Sequence, residues 1–228
     1  MVNKVLQIYR DEGALSLMKR MLSFLFSKIL LYETYYLTKI HIEDSLIKQP
    51  KPVDFADKLT FKWIESNYQA EEIAREYEDF RPYTKNAHQR LDAGGIAVCT
   101  YVDKELACYA WVAINESGMK AMSHMPVTID FDNKEVYSSY SYTIPKYRRK
   151  GIRYYRLRFR YKMFVEKGVE VLCSAIRTNN YASLKANSDR PKYMITAKVY
   201  ILKILGLRFF KETPINVKAQ KIVDSMSG

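Results

Sequence analysis

The chain has 228 residues, with 37 Lys or Arg against 25 Asp or Glu and a formal net charge of +12. Apolar residues make up 48% of it, beside eight glycines and seven prolines, which excludes disordered, collagen-like and low-complexity classes. Three scattered cysteines and three dispersed histidines argue against a disulfide framework and against a metal site, and favour a reducing compartment.

The first segment, residues 3–31, is predicted to form an amphipathic helix with a basic polar stripe. Its apolar stretch between Arg20 and Lys28 is too short to span a bilayer. Two interpretations stay open: the helix packs on the protein or on a copy of itself in a homodimer, or it lies on an anionic membrane surface. We expect a cytoplasmic protein, peripheral to the inner face of the membrane if the second holds.

The segment from 32 to 44 is predicted to be extended, and 48–57, with Pro50 and Pro52, is predicted to be a linker. The expected division is therefore an N-terminal part at 1–47, the linker at 48–57 and a main domain at 58–228.

Within the main domain, hydrophobic spacing predicts a strand at 59–64, a helix at 69–80 and a hairpin formed by 96–102 and 105–114. An irregular loop is expected at 115–134. Further strands are expected at 135–144, 169–176, 192–202 and 207–212.

A basic loop follows the strand at 135–144. Nine basic residues and no acid lie between Lys146 and Lys162. A strand, a loop with Arg148, Arg149, Lys150 and Gly151, and then a helix would direct free backbone amides at a phosphate group.

The stretch 156–163 alternates basic and apolar residues, which taken alone favours a strand with an arginine-lined face and a nucleic-acid partner. The spacing of Ile152, Tyr155, Phe159 and Met163 favours a helix instead. We prefer the helix because of the motifs on either side, and we consider nucleic-acid binding the weaker alternative.

These motifs resemble the GCN5-related N-acetyltransferase (GNAT) superfamily over roughly residues 58–210. The resemblance is based on Pro145, Tyr147, the run Arg148-Arg149-Lys150-Gly151-Ile152-Arg153, and Asn180-Tyr181-Ala182-Ser183. The chain departs from the family pattern at Arg153, where a small residue is usual, and at Asn187, where a Tyr is often found.

The resemblance implies a mixed α+β fold, with a central, mostly antiparallel sheet of six to seven strands that is splayed at the fourth strand and flanked by helices. It also implies that acetyl-CoA or another acyl-CoA is the co-substrate, with no metal. The implied cofactor contacts are the strand end Tyr142, Thr143 and Ile144, the loop residues Arg148, Arg149, Lys150, Gly151, Ile152 and Arg153, and Asn180 with Ser183.

The implied reaction transfers an acyl group from a thioester to the amine of a small molecule. The amine must lose a proton before it attacks, so a carboxylate near the fourth strand is expected, with Glu135 as the first candidate and Asp132 as the second. An amino sugar or a membrane-associated compound is a candidate acceptor. An acyl carrier protein stays open as the alternative donor.

Overall fold

The computed structural model describes residues 30–42, 53, 55–123, 125, 127–188, 193–204 and 207–226. The predicted helix at 3–31 therefore lies outside the described residues, except for its last two positions, which are extended. In the described part of the chain, no helix has the length and apolar character that crossing a membrane requires.

In the ranges that the structure describes, eight strands form one mixed sheet, one strand more than the upper limit we expected. The strands are β1 Leu30–His41, β2 Leu59–Ile64, β3 Gly95–Val102, β4 Glu105–Ala113, β5 Glu135–Thr143, β6 Val171–Arg177, β7 Met194–Ile204 and β8 Leu207–Lys218. Their order across the sheet is β2-β3-β4-β5-β6-β1-β7-β8. All neighbours are antiparallel except β5 and β6, which are parallel.

The additional strand is β1, which pairs with β6 on one side and β7 on the other. Residues 30–41 therefore belong to the same sheet as the segment from 58 onward, although the sequence division placed them outside the main domain. The apolar and aromatic side chains of this segment explain the placement, because Tyr36 and Ile40 are buried in the core.

Six α-helices of the described residues cover the two faces of the sheet. They are α1 Asn67–Ala74, α2 Ala87–Asp92, α3 Glu116–Met122, α4 Ile152–Glu166, α5 Tyr181–Ser188 and α6 Ala219–Ser225. One core cluster joins α1, α2 and α3 to one face of the sheet, and a second joins α4, α5 and α6 to the other face. The result is a three-layer arrangement with the sheet in the middle.

Two predicted segments differ from the structure. The helix expected at 69–80 spans only 67–74, starting where the Ser66 hydroxyl accepts a hydrogen bond from the Gln69 amide. The loop expected at 115–134 contains α3, which begins where the Asn115 side chain accepts a hydrogen bond of 2.8 Å from the Gly118 amide. In both cases the capping residue, and not the apolar spacing, determines where the helix starts.

The helix α4 settles the conflict over residues 156–163 in favour of the helix. Its buried residues are Ile152, Arg156, Leu157, Arg160, Tyr161 and Phe164, which recur at helical spacing. The buried face is thus not the apolar one that the sequence suggested, because two arginines lie within it.

We expect Phe164→Ala to lower the free energy of unfolding by about 3–5 kcal/mol, since Phe164 is fully buried and packs edge-on against Trp63. Denaturant unfolding followed by circular dichroism measures this. Val165→Ala, at an exposed position of the same helix, is the control and should change it by less than about 0.5 kcal/mol. Equal effects of the two substitutions would contradict this packing.

Candidate functional site

The sheet opens between β5 and β6. The two strands pair from Glu135↔Val171 to Ser138↔Ser174 and then separate. We refer to the gap beyond that last pair as the wedge. Since the pairing of β6 with β5 ends there, residues 139–143 of β5 present an open backbone edge to the wedge.

A β-bulge bends β5 at the point where the wedge begins. On β4, one residue separates Tyr109 from Trp111, whereas on β5 their partners Tyr142 and Ser139 are separated by two. Tyr140 lies in the bulge with a φ of 49°, in the left-handed region. A bulge turns its strand away from the regular ladder, which explains why β5 separates from β6 here.

The wedge opens into a cleft of about 1260 Å³. Its walls come from the diverging strands, the buried face of α4, the start of α5 and parts of β1, β7 and β8. Pockets for single small ligands are usually about 300–1,000 Å³, so the cleft has room for two reactants.

The cleft is strongly cationic. Among the described residues, its only carboxylate is Glu33, whereas its basic residues are Arg148, Arg153, Arg156, Arg160, Arg177, Lys203 and Arg208. Such a field attracts an anionic ligand such as a phosphate ester. In the described ranges, no three His, Cys, Asp or Glu side chains come together as a metal site.

The basic loop is anchored at its base. The buried Tyr147 donates a hydrogen bond of 2.7 Å to Glu105, and Lys146 forms an ion pair with the same carboxylate. Arg148 Nε donates to the Thr143 carbonyl at 3.0 Å, which holds its guanidinium at the end of β5. The loop therefore has a fixed position at the mouth of the cleft.

Gly151 joins this loop to α4 in a left-handed conformation, with a φ of 76°. A side chain here would be strained, and its Cβ would lie 3.2 Å from Val53 Cγ1. The first amides of a helix have no intrahelical acceptor, so the start of α4 offers donors to an anion at the loop.

The two departures from the family motif contact each other. Arg153 Nη2 donates a hydrogen bond of 2.6 Å to the side-chain oxygen of Asn187. The side-chain nitrogen of Asn187 donates in turn to the Ser183 carbonyl at 2.8 Å. The side-chain oxygen of Asn180 caps α5 by accepting a hydrogen bond of 3.1 Å from the Ser183 amide. Arg153 thus ties α4 to α5 at the side of the cleft.

The structure brings six of the predicted cofactor contacts to the cleft wall: Tyr142, Thr143, Arg148, Arg153, Asn180 and Ser183. The others are not part of the wall: Ile144, Arg149, Lys150, Gly151 and Ile152. The side chain of Ile152 is buried in the core, so only its backbone is left to contact a ligand.

The prediction that Ile144 contacts the cofactor through its backbone is revised by the hydrogen bonds that it forms within the protein. Its amide donates to the Ala107 carbonyl at 2.9 Å, and its own carbonyl accepts from the Tyr147 amide at 2.9 Å. Both backbone groups are therefore used within the fold. The open edge that an amide-bearing ligand can reach is instead the stretch 139–143, apart from the Thr143 carbonyl, which accepts from Arg148.

The two predicted carboxylates lie away from the cleft. Glu135 stands at the start of β5, at the opposite end from the wedge mouth, where it forms an ion pair with Lys39 and accepts from the Asp130 amide at 3.1 Å. Burial alone would raise its pKa, but the hydrogen bonds from Lys39 and the Asp130 amide lower it below its usual value. Asp132 is exposed in the preceding turn. We therefore retain neither as the general base.

Sequence reasoning missed a polar group on the first strand. Glu33 forms an ion pair with Arg177, whose Nε donates a hydrogen bond of 3.2 Å to the Tyr35 hydroxyl. Burial raises the pKa of Tyr35, so it stays protonated at neutral pH. The alternating positions of Glu33 and Tyr35 indicated one common strand face, but nothing local indicated that this strand enters the central sheet.

Comparison with known proteins finds no matching family model and no match among curated proteins. Among solved structures, a functionally unknown conserved protein from Staphylococcus epidermidis is 11% identical over 81% of this chain and 67% of its own, with a TM-score of 0.47. A GCN5-related N-acetyltransferase from Kribbella flavida is 16% identical over 82% and 64%, with a TM-score of 0.41. A tandem GNAT protein from the clavulanic acid biosynthesis pathway is 12% identical over 80% and 55%, with a TM-score of 0.42.

These identities are too low to transfer a function, and the matches span 55–67% of the length of those proteins. The topology itself shows the expected pattern. A mostly antiparallel sheet separates at one parallel pair, and an Arg-x-x-Gly loop leads from the separated strand into a helix. The fold is GNAT-like. The separated strand is β5, and the helix after the loop is α4.

We expect Glu135→Gln to lower the free energy of unfolding by an amount on the order of 1 kcal/mol at pH 7. A carboxylate whose pKa is lowered by folding stabilises the fold above its unfolded pKa of about 4.3, and this contribution is lost as the pH falls through the folded pKa. The difference between variant and wild type should therefore shrink below about pH 4.

Urea unfolding at pH 7 and pH 3 measures this. The control is Glu116→Gln, whose exposed ion pair with Lys120 should contribute little at either pH. A stability loss of equal size at both pH values would contradict the assigned role of Glu135.

Proposed function

We propose that this protein is an N-acyltransferase that transfers an acyl group from a coenzyme A thioester to the amine of a small molecule. The observation that carries the proposal is the wedge between β5 and β6, which leads from an open strand edge to a basic loop and a helix start. No zinc or other metal is part of the proposal.

The described residues fit such a donor. The amides at the start of α4, together with Arg148, would hold the pyrophosphate. The open edge at 139–143 offers backbone groups to the amide-bearing arm, in the way that an added strand pairs with a sheet edge. The donor supplies the activated thioester carbonyl, and the protein supplies position and charge.

In this reaction an ammonium acceptor first loses one proton, which is released to solvent through the general base. Its nitrogen then bonds to the acyl carbon, the carbon–sulfur bond breaks, and the second proton lost by the nitrogen balances the one that the leaving sulfur takes up. Glu33 is our candidate for binding the ammonium form and accepting its proton, because it is the one carboxylate of the cleft wall among the described residues. The Tyr35 phenol, held beside it through Arg177, is our candidate for donating a proton to sulfur.

A nucleic-acid partner finds less support than a thioester. The alternating arginines form no exposed row, since Arg156 and Arg160 are buried on α4 while Arg158 is exposed.

We propose that the reaction takes place in the cytoplasm, where the free thiols of Cys99, Cys108 and Cys173 would stay reduced. An amino sugar and a membrane-associated amine remain the first acceptors to screen.

We expect coenzyme A to bind and to raise the melting temperature of the full chain. Arg148→Ala should weaken this binding by about tenfold, because it removes a charged donor at the mouth of the cleft. Calorimetric titration measures the affinity. The control is Arg75→Ala, which replaces an exposed arginine at the C-terminal end of α1. Stabilisation by a short RNA but not by coenzyme A would overturn the proposal.

We expect Glu33→Gln to lower turnover by about 100-fold while leaving the affinity for coenzyme A within about twofold, since general acid–base catalysis contributes on this scale. Release of free thiol from acetyl-CoA, measured with a panel of amino sugars, amino acids and polyamines, reports turnover. The matched control is Glu135→Gln, which should keep its rate. A loss confined to Glu135→Gln would reverse this assignment.

A further inference from the structure

The deep end of the wedge is polar, although apolar side chains usually fill the space between a sheet and the helix packed on it. Arg160 Nη1 donates a hydrogen bond of 2.8 Å to the Ser138 hydroxyl, at the last residue pair before the strands separate. Across the gap, the Ser174 hydroxyl lies 2.7 Å from that of Thr38, which also interacts with the Tyr193 hydroxyl at 3.0 Å. Four of these residues, all except Thr38, line the cleft.

A second arginine stands one turn earlier on the same face of α4. The Arg156 side chain donates to the Tyr109 carbonyl at 3.0 Å and to the Ser141 hydroxyl at 2.5 Å. Its Nε is buried and has no hydrogen-bond partner, and no carboxylate of the described residues forms an ion pair with it. Residue exposure is only 4% for Arg156 and 6% for Arg160.

A buried guanidinium without a counter-charge is unfavourable, because burial removes the water that stabilised its charge. The neighbouring hydroxyls offset only part of this loss. An anion placed in the wedge would supply the missing charge and accept from the free Nε–H of Arg156.

The direction of the wedge indicates which part of a ligand meets these arginines. The helix α4 starts beside the basic loop and rises about 12 Å between Ile152 and Arg160. The open edge of β5 runs the opposite way, from Thr143 at the mouth back to Ser138 at the deep end. A thioester whose phosphates lie at the loop therefore directs its acyl group toward Arg160.

We infer that the transferred acyl group carries a carboxylate, so that the donor is the thioester of a dicarboxylic acid. The carboxylate binds in the deep end of the wedge, held by Arg160 and Arg156 beside the hydroxyls of Ser138 and Ser174. A plain hydrocarbon chain would remove these polar groups from water without replacing their hydrogen bonds. The inference rests on the proposed function and names its donor.

Calorimetric titration of the full chain with succinyl-CoA, butyryl-CoA and coenzyme A tests it, since the two acyl chains have equal carbon number and differ in the carboxylate. We expect succinyl-CoA to bind about tenfold more tightly than butyryl-CoA. Arg160→Met should abolish this preference. Arg158→Met, at an exposed position of the same helix, should preserve it.

The wild-type comparison is decisive even if Arg160→Met fails to fold. Binding of coenzyme A with equal or tighter binding of butyryl-CoA would overturn the dicarboxylic donor and leave the proposed function standing. Failure of all three compounds to bind would overturn both. A preference for succinyl-CoA that persists in a folded Arg160→Met variant would remove Arg160 from the site.

Discussion

Four backbone pairs between β5 and β6 determine where this protein has a site at all. They are the link between the β2–β5 side of the sheet and the side formed by β6, β1, β7 and β8, and further pairs would close the gap that can receive a ligand. The bulge at Tyr140 sets the number, because the additional residue turns β5 away from β6 directly after Ser138. The side chain of Arg156 then spans the region of the bulge, bonding to the Tyr109 carbonyl on one strand and to Ser141 on the other.

The same strand geometry concentrates positive charge. The basic loop stands at the mouth of the wedge, held by the Glu105 carboxylate, and α4 carries the charge inward along its buried face. Of the described acids, Glu33 alone lines the cleft, and Glu135, for example, is bound to Lys39 at the far end of β5. The cleft thus presents one continuous path of amides, hydroxyls and guanidinium groups. The phosphates, the thioester and the carboxylate of the proposed donor would lie along it.

Local pattern was sufficient for several of the elements from residue 95 onward. The hairpin of β3 and β4, the strand β5 and the helix α4 follow from spacing and from the motifs around Gly151, and the structure confirms each of them. The pattern failed where a residue's partner is distant in sequence. Nothing near Glu33 indicates that it faces a cleft formed by residues after 135, and nothing near Glu135 indicates that Lys39 neutralises it.

The buried arginines of α4 show a different limit. Binary patterning assigns charged residues to the surface, and for Arg158 this is correct, but Arg156 and Arg160 lie inside because the wedge beneath them is polar. A position that contradicts the hydrophobic pattern is where a functional site is expected. The deviation was visible in the sequence as the alternation of 156–163, but its meaning depended on knowing which strand lies below.

The place of β1 has a consequence for how the chain is made. It is synthesised before its partners β6 and β7, and Thr38 bonds to Ser174 across 136 positions. Both edges of β1 therefore stay unpaired until β6 and β7 have been synthesised, and unpaired strand edges favour aggregation of a nascent chain. A shortened chain that starts at residue 58 would leave β6 and β7 without their shared neighbour, and it is expected to be insoluble.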